Sequence, residues 1–366
     1  MTAGAALALA ASPAIADKAN DTLRIAISDP FSAIDSYHVP HDEVGYFARN
    51  IYGKLVVFDE YKGKFRAEIA KSWKRINETT LEFELRDDVV FHSGNKFTAE
   101  DVKYTIGYIG HPKVRIRFKG RYNWVKEVQI LGPHKLRIVS KKPKATDMST
   151  IAYRFHIFDS KIHKTFKNKS DYGRVSASST GPYRMVSINK NTGPRVERWE
   201  KFFGSKYRRA PIKRIHGIPM PDRQTQIAQL ITGGVDVLRK ISSDNIKGLR
   251  KRPGVVITPT SSKLLMYLWF DGLGRSGKNF FKDVRVRKAA IMAINRKQLM
   301  KYAVAGGEAA ELPKSICFER TVACAPTTSP YKYNPAMAKK ILAEAGYPNG
   351  FSVTLTVFNP IKEIGE

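Results

Sequence analysis

The chain alternates short stretches of period-2 hydrophobicity with stretches of helical period. Thr22-Leu23-Arg24-Ile25-Ala26-Ile27 reads as a strand, and Leu81-Glu82-Phe83-Glu84-Leu85 alternates strictly, which predicts one buried face. Val125–Ile130 and Leu136–Val139 flank Gly132-Pro133-His134 and predict a hairpin. Leu55–Phe58 and Val353–Val357 predict two further strands. Helical periodicity predicts helices over Asp42–Tyr52, Pro221–Ile231, Val284–Ile294 and Lys297–Val304. Thr98 is placed to cap a helix with Glu100 and Asp101 in its first turn, and Val102, Ile106 and Ile109 as its apolar stripe. Asn334-Pro335 starts another, with Ala338, Ile341, Leu342 and Ala345 buried and Gly346 as its stop. Strands and helices are interspersed, with a strand-rich stretch from about 46 to 170. The prediction is a mixed α/β chain of several domains.

The 366 residues allow two or three domains at roughly 100–200 residues each. Hydrophobic residues make up 42% and charged residues 26%, which excludes global disorder. No run reaches the roughly 18 apolar residues of a membrane helix. Residues 1–16 are uncharged, rich in Ala and Leu, and end in Ala14-Ile15-Ala16, the pattern of a signal peptide with Asp17 as the mature start. Its basic leader is missing, as if the true start codon lay upstream. Export implies an oxidising compartment, where Cys317 and Cys324 can form a local disulfide; two free thiols are the alternative.

Charge changes the picture most. Lys and Arg total 63 against 33 Asp and Glu, for a formal net charge of +30. That points to an anionic partner: nucleic acid, an acidic membrane surface or an acidic ligand. The densest segment interleaves Lys113, Arg115, Arg117, Lys119, Arg121 and Lys126 with Phe118, Tyr122 and Trp124, followed by Lys135, Arg137, Lys141, Lys142 and Lys144. Such alternation suits a phosphate backbone with stacked bases, or it is the solvated face of a strand-rich domain. For an exported protein an anionic membrane surface ranks above nucleic acid.

Catalytic motifs are absent. There is no phosphate-binding loop, no Gly-x-Ser-x-Gly and no His-Glu-x-x-His. His38 and His41 are the only close histidine pair, but Pro40 separates them and no third ligand is evident, so no metal or other cofactor is expected. His92 reads as a loop hydrogen-bonder, and Glu82 with Glu84 as a solvated strand face that repels itself. No enzyme is nominated.

Several segments together resemble extracellular solute-binding proteins, family 5, the substrate-binding proteins of peptide/nickel ABC transporters. They begin with Ile69-Ala70-Lys71-Ser72-Trp73-Lys74, Leu81–Arg86, Val90-Phe91-His92-Ser93-Gly94 and Phe97-Thr98-Ala99-Glu100-Asp101-Val102. Ser179-Thr180-Gly181-Pro182-Tyr183, Pro221-Asp222 with Gly234-Val235-Asp236, and Asp283–Arg296 follow in order. Tyr333-Asn334-Pro335 and Ala345-Gly346-Tyr347-Pro348-Asn349-Gly350-Phe351 complete the series, which covers about 17 to 358.

The resemblance implies a two-lobed, type II periplasmic-binding-protein-like α/β fold with an extra inserted domain. The first lobe would comprise 17–45 and 171–260, the insert 46–170, and the second lobe 261–366. It implies a monomeric periplasmic receptor that takes a peptide or other small polar solute in an interlobe cleft and delivers it to an ABC permease. By chain position, the implied ligand-binding candidates are Ser28, Phe31, Tyr37, Ser178, Ser179, Thr180, Tyr267, Trp269 and Asp271. Relatives continue well past the Gly350-Phe351 motif, so the second lobe is expected to be incomplete. A truncated, non-functional product is one rival reading, and a basic protein binding nucleic acid or an anionic surface is the other. No lipobox cysteine precedes Asp17, so a free protein is expected.

Overall fold

The computed structural model describes residues 21–39, 42–60, 62–175, 177–204, 210–258, 267–303 and 331–356, with Leu312, Cys317 and Cys324. The expected signal peptide, Ser261 and the ends of two expected elements, Val304 and Val357, lie outside the described residues. The chain divides into two compact units, Met1–Arg239 and Lys240–Glu366.

In unit 1 the strands are β1 (Thr22–Ile27), β2 (Val56–Asp59), β3 (Lys64–Ala67), β4 (Ala70–Asn77), β5 (Thr80–Leu85), β6 (Val125–Gly132), β7 (Lys135–Ser140), β8 (Tyr183–Ser187), β9 (Arg195–Arg198) and β10 (Arg214–Pro219). Its helices are α1 (Asp42–Ile51), α2 (Ala99–Gly110), α3 (Asp147–Arg154), α4 (Ser160–Thr165), α5 (Tyr172–Val175) and α6 (Arg223–Ile231). One sheet runs β1-β10-β9-β8, with β1 and β10 parallel and the other pairs antiparallel. After β10, α6 carries the chain back so that Val237 bridges Ile25 in parallel on the other side of β1. Arg24 locks this return: its guanidinium meets the Asp236 carboxylate at 3.0 and 3.1 Å and its Nη2 donates to the Gly233 carbonyl at 2.7 Å. A second sheet, β4-β5-β7-β6, is antiparallel throughout, and β2 pairs with β3.

The hairpin expected around Gly132-Pro133-His134 forms as β6–β7. Helix α2 starts where Thr98 predicts, with the Thr98 N–H donating to Asp101 Oδ2 at 2.9 Å. Val102, Ile106 and Ile109 are all buried. One expectation about β5 is corrected. Glu82 is not on a solvated face: it is 3% exposed, because its cross-strand neighbours are Lys74 on β4 and Arg137 on β7. Arg137 Nε lies 2.8 Å from it, Lys135 Nζ 3.2 Å and Lys74 Nζ 3.3 Å. These cations, Arg137 foremost, draw the Glu82 carboxyl down to about 2.

A single hydrophobic cluster runs from Ile27 and Phe31 through Phe83, Phe91 and Phe158 to Val196. The strand-rich stretch therefore shares a core with the segments on either side of it. The two compact units meet at Arg239/Lys240.

Unit 2 contains α7 (Ser243–Leu249), α8 (Val284–Ala293), α9 (Arg296–Ala303) and α10 (Pro335–Glu344). Asp283 caps α8 by accepting from the Arg285 N–H at 2.8 Å, and Asn334 caps α10 by accepting from the Met337 N–H at 3.0 Å. Gly346 ends α10 at φ +93°, a left-handed angle that glycine takes without strain. The strand expected at Val353–Val357 is not formed over 353–356: these residues have no ladder partner among the described residues, and Leu355 is 70% exposed. Cys317 and Cys324 are joined as a disulfide, with Cα atoms 5.8 Å apart.

Candidate functional site

The parallel pair β1–β10 places two carboxyl strand ends side by side, and in open α/β sheets ligands gather outside such ends. Ser28 follows β1 and Met220 follows β10, tied by the Met220 N–H donating to the Ile27 carbonyl at 2.8 Å. Helix α6 begins beside them because Asp222 accepts from the Thr225 N–H at 2.7 Å. Its first turn aims Gln226, 1% exposed, back at the strand ends. Gln226 Nε2 donates to Ser28 Oγ at 3.0 Å and to the Met220 carbonyl at 2.5 Å, and its Oε1 accepts from Arg223 Nη1 at 2.6 Å. Ser28 is thus held in a fixed orientation, half-buried, by a polar chain from Arg223 through Gln226. Sequence reasoning found Ser28 but missed Gln226 and Arg223. Their signal was the Asp222-capped helix immediately after a strand.

The other candidates in unit 1 have internal partners. Ser178, Ser179 and Thr180 are all buried. Ser178 Oγ donates to Asp159 Oδ2 at 3.2 Å, beside Ser93 Oγ at 2.6 Å and Asn95 Nδ2 at 3.1 Å. Ser179 Oγ donates to the Ile157 carbonyl at 2.7 Å and accepts from the Gly53 N–H at 3.1 Å. His92 Nδ1 accepts from the Ser179 N–H at 3.2 Å, so its Nε2 carries the proton donated to the Gly181 carbonyl at 3.0 Å. His92 is the loop hydrogen-bonder its position suggested. Gly181 is required here, since a Cβ would lie 2.4 Å from the carbonyl oxygens of Asn50 and Ile51. This turn fastens the strand-rich stretch to the rest of unit 1. Of the three hydroxyls in this turn, that of Thr180 is the one buried without a hydrogen-bond partner among the described residues.

Phe31 and Tyr37 belong to the core. Phe31 packs on Phe47 with ring centroids 5.9 Å apart. The Tyr37 hydroxyl donates to the His156 carbonyl at 2.9 Å and accepts the His156 N–H at 2.7 Å, and burial pushes its pKa well above that of a free tyrosine. In unit 2, Tyr267 and Trp269 stand open to solvent, 61% and 85% exposed, with rings 5.5 Å apart. Asp271 accepts the Ser276 N–H and hydroxyl, each at 2.7 Å, and the Arg275 N–H at 3.0 Å, which hold its carboxyl at about 2. The structure thus brings together Ser178, Ser179 and Thr180 in one turn and Tyr267 with Trp269 in one segment; Ser28 joins Gln226 instead.

Other chemistry is sparse. An open recess of about 550 Å³ lies at the amino ends of β1 and β10, lined by Thr22, Arg195, Arg214 and His216 among others, away from Ser28. Among the described residues, no group of three or more His, Cys, Asp or Glu side chains is placed to hold a metal. His41 is outside them, and His38 bonds Asp35 at 2.7 Å and Tyr108 at 3.1 Å. No described helix is long and apolar enough to cross a membrane.

Comparison with known proteins places this geometry. The chain is 28% identical over 365 residues to the glutathione-binding protein GsiB of Pectobacterium atrosepticum, covering 97% of this chain and 66% of that protein. It thus spans just under two thirds of that relative. Among solved structures, NikZ from Campylobacter jejuni in complex with Ni(L-His) superposes with a TM-score of 0.72 at 25% identity, over 89% of this chain and 63% of that one. The periplasmic binding protein DppA from Helicobacter pylori, in complex with the peptide STSA, gives a TM-score of 0.72 at 21% identity, over 90% and 67%. The latter likeness establishes the fold alone, that of the type II periplasmic binding proteins. Residues 64–363 match the model of the bacterial extracellular solute-binding proteins, family 5 Middle. With that match covering most of its length, the chain belongs to the family 5 extracellular solute-binding proteins of bacteria.

Proposed function

We propose that this protein is the solute-capturing receptor of an ABC importer, acting outside the cytoplasmic membrane and handing a peptide-like or other small polar solute to a membrane permease. The observation that carries the reading is the unbroken family match over residues 64–363. The likeness to a glutathione-binding protein over 97% of the chain makes an acidic small peptide the first solute to test. A receptor of net charge +30 favours such an anion on approach.

On unit 1 the contact group is Ser28. Gln226 fixes its hydroxyl, so little rotamer freedom is lost when a solute carbonyl or carboxylate arrives. The turn at Ser178–Thr180, with Phe31 and Tyr37, is read as part of the buried frame of unit 1 and not as solute contact. No covalent chemistry is required, and the family is one of solute-binding proteins.

Titration calorimetry of the purified chain against glutathione, a set of dipeptides and Ni(L-His) tests the reading. Saturable binding of one class, weakened at least about tenfold by Q226L, is the expected result. A folded protein that binds none of them, at concentrations up to millimolar, overturns it.

A further inference from the structure

The long basic run resolves into two parts with opposite electrostatic fates. Lys135 and Arg137, with Lys74, are turned onto the buried Glu82, which serves as their shared counterion. The remainder has no such counterion. From Val102 to Lys126 the sequence holds no acidic residue. Lys113, Arg115, Arg117, Arg121 and Lys126 are exposed and form no ion pair with a described residue. Burial, and after it the nearby charge of Arg121, disfavour the charged form of Arg154, so another cation lies close to this face.

The loop that carries them is built, not loose. Lys119 Nζ turns inward and donates to the carbonyls of Ile109 and Val114 at 3.0 and 3.1 Å, and to that of His111, closing the end of α2. The Arg117 N–H reaches the Tyr37 carbonyl at 3.3 Å, which ties the loop to the core. Phe118 sits at φ +58°, an angle that costs a bulky residue about 1 kcal/mol or more, and its ring is 46% exposed. The guanidinium carbons of Arg117 and Arg121 lie 5.3 and 4.1 Å from its centroid. A second basic segment abuts the first, with the Lys141 N–H donating to the Trp124 carbonyl at 2.9 Å. Lys141 and Lys142 are also exposed.

We propose that this face, with Lys113, Arg115, Arg117 and Arg121 around the projecting ring of Phe118, docks the protein onto an anionic phospholipid bilayer. Phosphate headgroups match unpaired guanidinium groups, and one aromatic ring flanked by cations suits the headgroup–acyl boundary. Single-stranded nucleic acid fits less well, because it needs successive exposed rings. Of the three interleaved aromatics, Tyr122 is buried against Tyr37 at 5.3 Å and Trp124 is stacked on Phe155 at 5.9 Å. The extracellular setting of the family points the same way.

The test is co-sedimentation of the full chain with vesicles of phosphatidylcholine alone and with about 40 mol% phosphatidylglycerol. Binding is expected only with phosphatidylglycerol, and it should fall steeply as salt is raised. The variant R115E/R117E/R121E should reduce partition at least about tenfold, and F118A a few-fold. K190E/K201E/K213E makes the same change in net charge on another exposed surface and should stay within about twofold of the parent. Circular dichroism confirms that each variant is folded. Equal binding to neutral vesicles overturns the proposal. So does an equal loss in the control triple variant, or tight salt-sensitive binding to a DNA oligonucleotide without binding to phosphatidylglycerol.

Discussion

The two units use the same local rules and reach different degrees of burial. Helix α2 in unit 1 and helices α8 and α10 in unit 2 all begin at a Thr, Asp or Asn cap. In unit 1 those helices land on sheets, and the result is the continuous cluster from Ile27 to Val196. In unit 2 the buried apolar residues among those described are Leu249, Val286, Ala289 and Ala338. Val256, Trp269, Leu273 and Leu355 remain 84%, 85%, 68% and 70% exposed. Unit 2 is held instead by a few contacts between its segments, such as the Asn334 N–H donating to the Met292 carbonyl at 2.9 Å and the rings of Phe280 and Phe351 stacked 4.2 Å apart. Capping and periodicity decide where helices start and stop. A core requires partner elements, and only unit 1 assembles them among the described residues. Unit 2 should therefore open at lower free energy, with faster amide exchange, than unit 1.

The sharpest way to break this comparison is to damage both cores. Phe83 is fully buried in unit 1, and F83A should cost about 3–5 kcal/mol there. Val286 is as inaccessible in unit 2 but packs in a thin layer, and V286A should cost only about 1 kcal/mol. Native-state hydrogen exchange reads the two separately. Equal losses would mean that unit 2 has a core as consolidated as that of unit 1. Next in size is G181A. A methyl there collides with two backbone carbonyls that cannot move without displacing α1, so the loss should be about 3 kcal/mol. It should appear as a lowered denaturant midpoint for unit 1 alone.

The same contrast explains how much could be read from the sequence. Strand β1, the β6–β7 hairpin and the starts of α2, α6, α8 and α10 were legible because each is specified within a few residues. The division at Arg239/Lys240 carries no local signal, because it depends on which segments pack together over long sequence distances. Glu82 was misread for a related reason. Period-2 alternation reports which side of a strand a residue is on, but not that Lys74 and Arg137 flank it across the sheet. At the candidate site, Ser28 was found by chain position. Gln226 was hidden because its role comes from a helix packing on strand ends 198 residues away in sequence. Ser178 and Ser179 look like ligand hydroxyls in a linear reading, yet their partners Asp159 and Ile157 lie in a segment with no motif of its own.

A pH titration separates the units with a smaller effect. His163 is enclosed by Phe158, Tyr108 and Tyr172, with ring centroids 4.3, 4.8 and 4.9 Å away, and burial lowers its pKa to about 4. Below its ordinary value of 6.5 the unfolded chain takes up a proton that the folded chain does not. Unit 1 should lose about 3 kcal/mol as pH falls from 6.5 to 4, and H163L should remove that slope. Glu82 acts in a lower window. Its depressed pKa stabilises the fold above the ordinary value of 4.5, and that contribution fades as pH falls toward about 2. E82Q should flatten the dependence there and leave the His163 window unchanged. A midpoint for unit 1 that is constant from pH 6.5 to 4 would contradict the neutral burial of His163.

The smallest effect asks whether unit 2 is local in its energetics. Asp283 accepts the Arg285 N–H and pairs with the Arg285 guanidinium at 2.6 Å, both within two residues. D283A should cost about 1 kcal/mol, the usual loss for an N-cap. In a unit held by nearest-neighbour contacts, the faster exchange should be confined to α8 and to α10, whose Glu344 carbonyl accepts from Arg285 Nη1 at 3.1 Å. Unit 1 amides should not respond. If they accelerate by the same factor, the two units unfold as one cooperative body, and the contrast between a consolidated core and a locally held unit would concern packing but not stability.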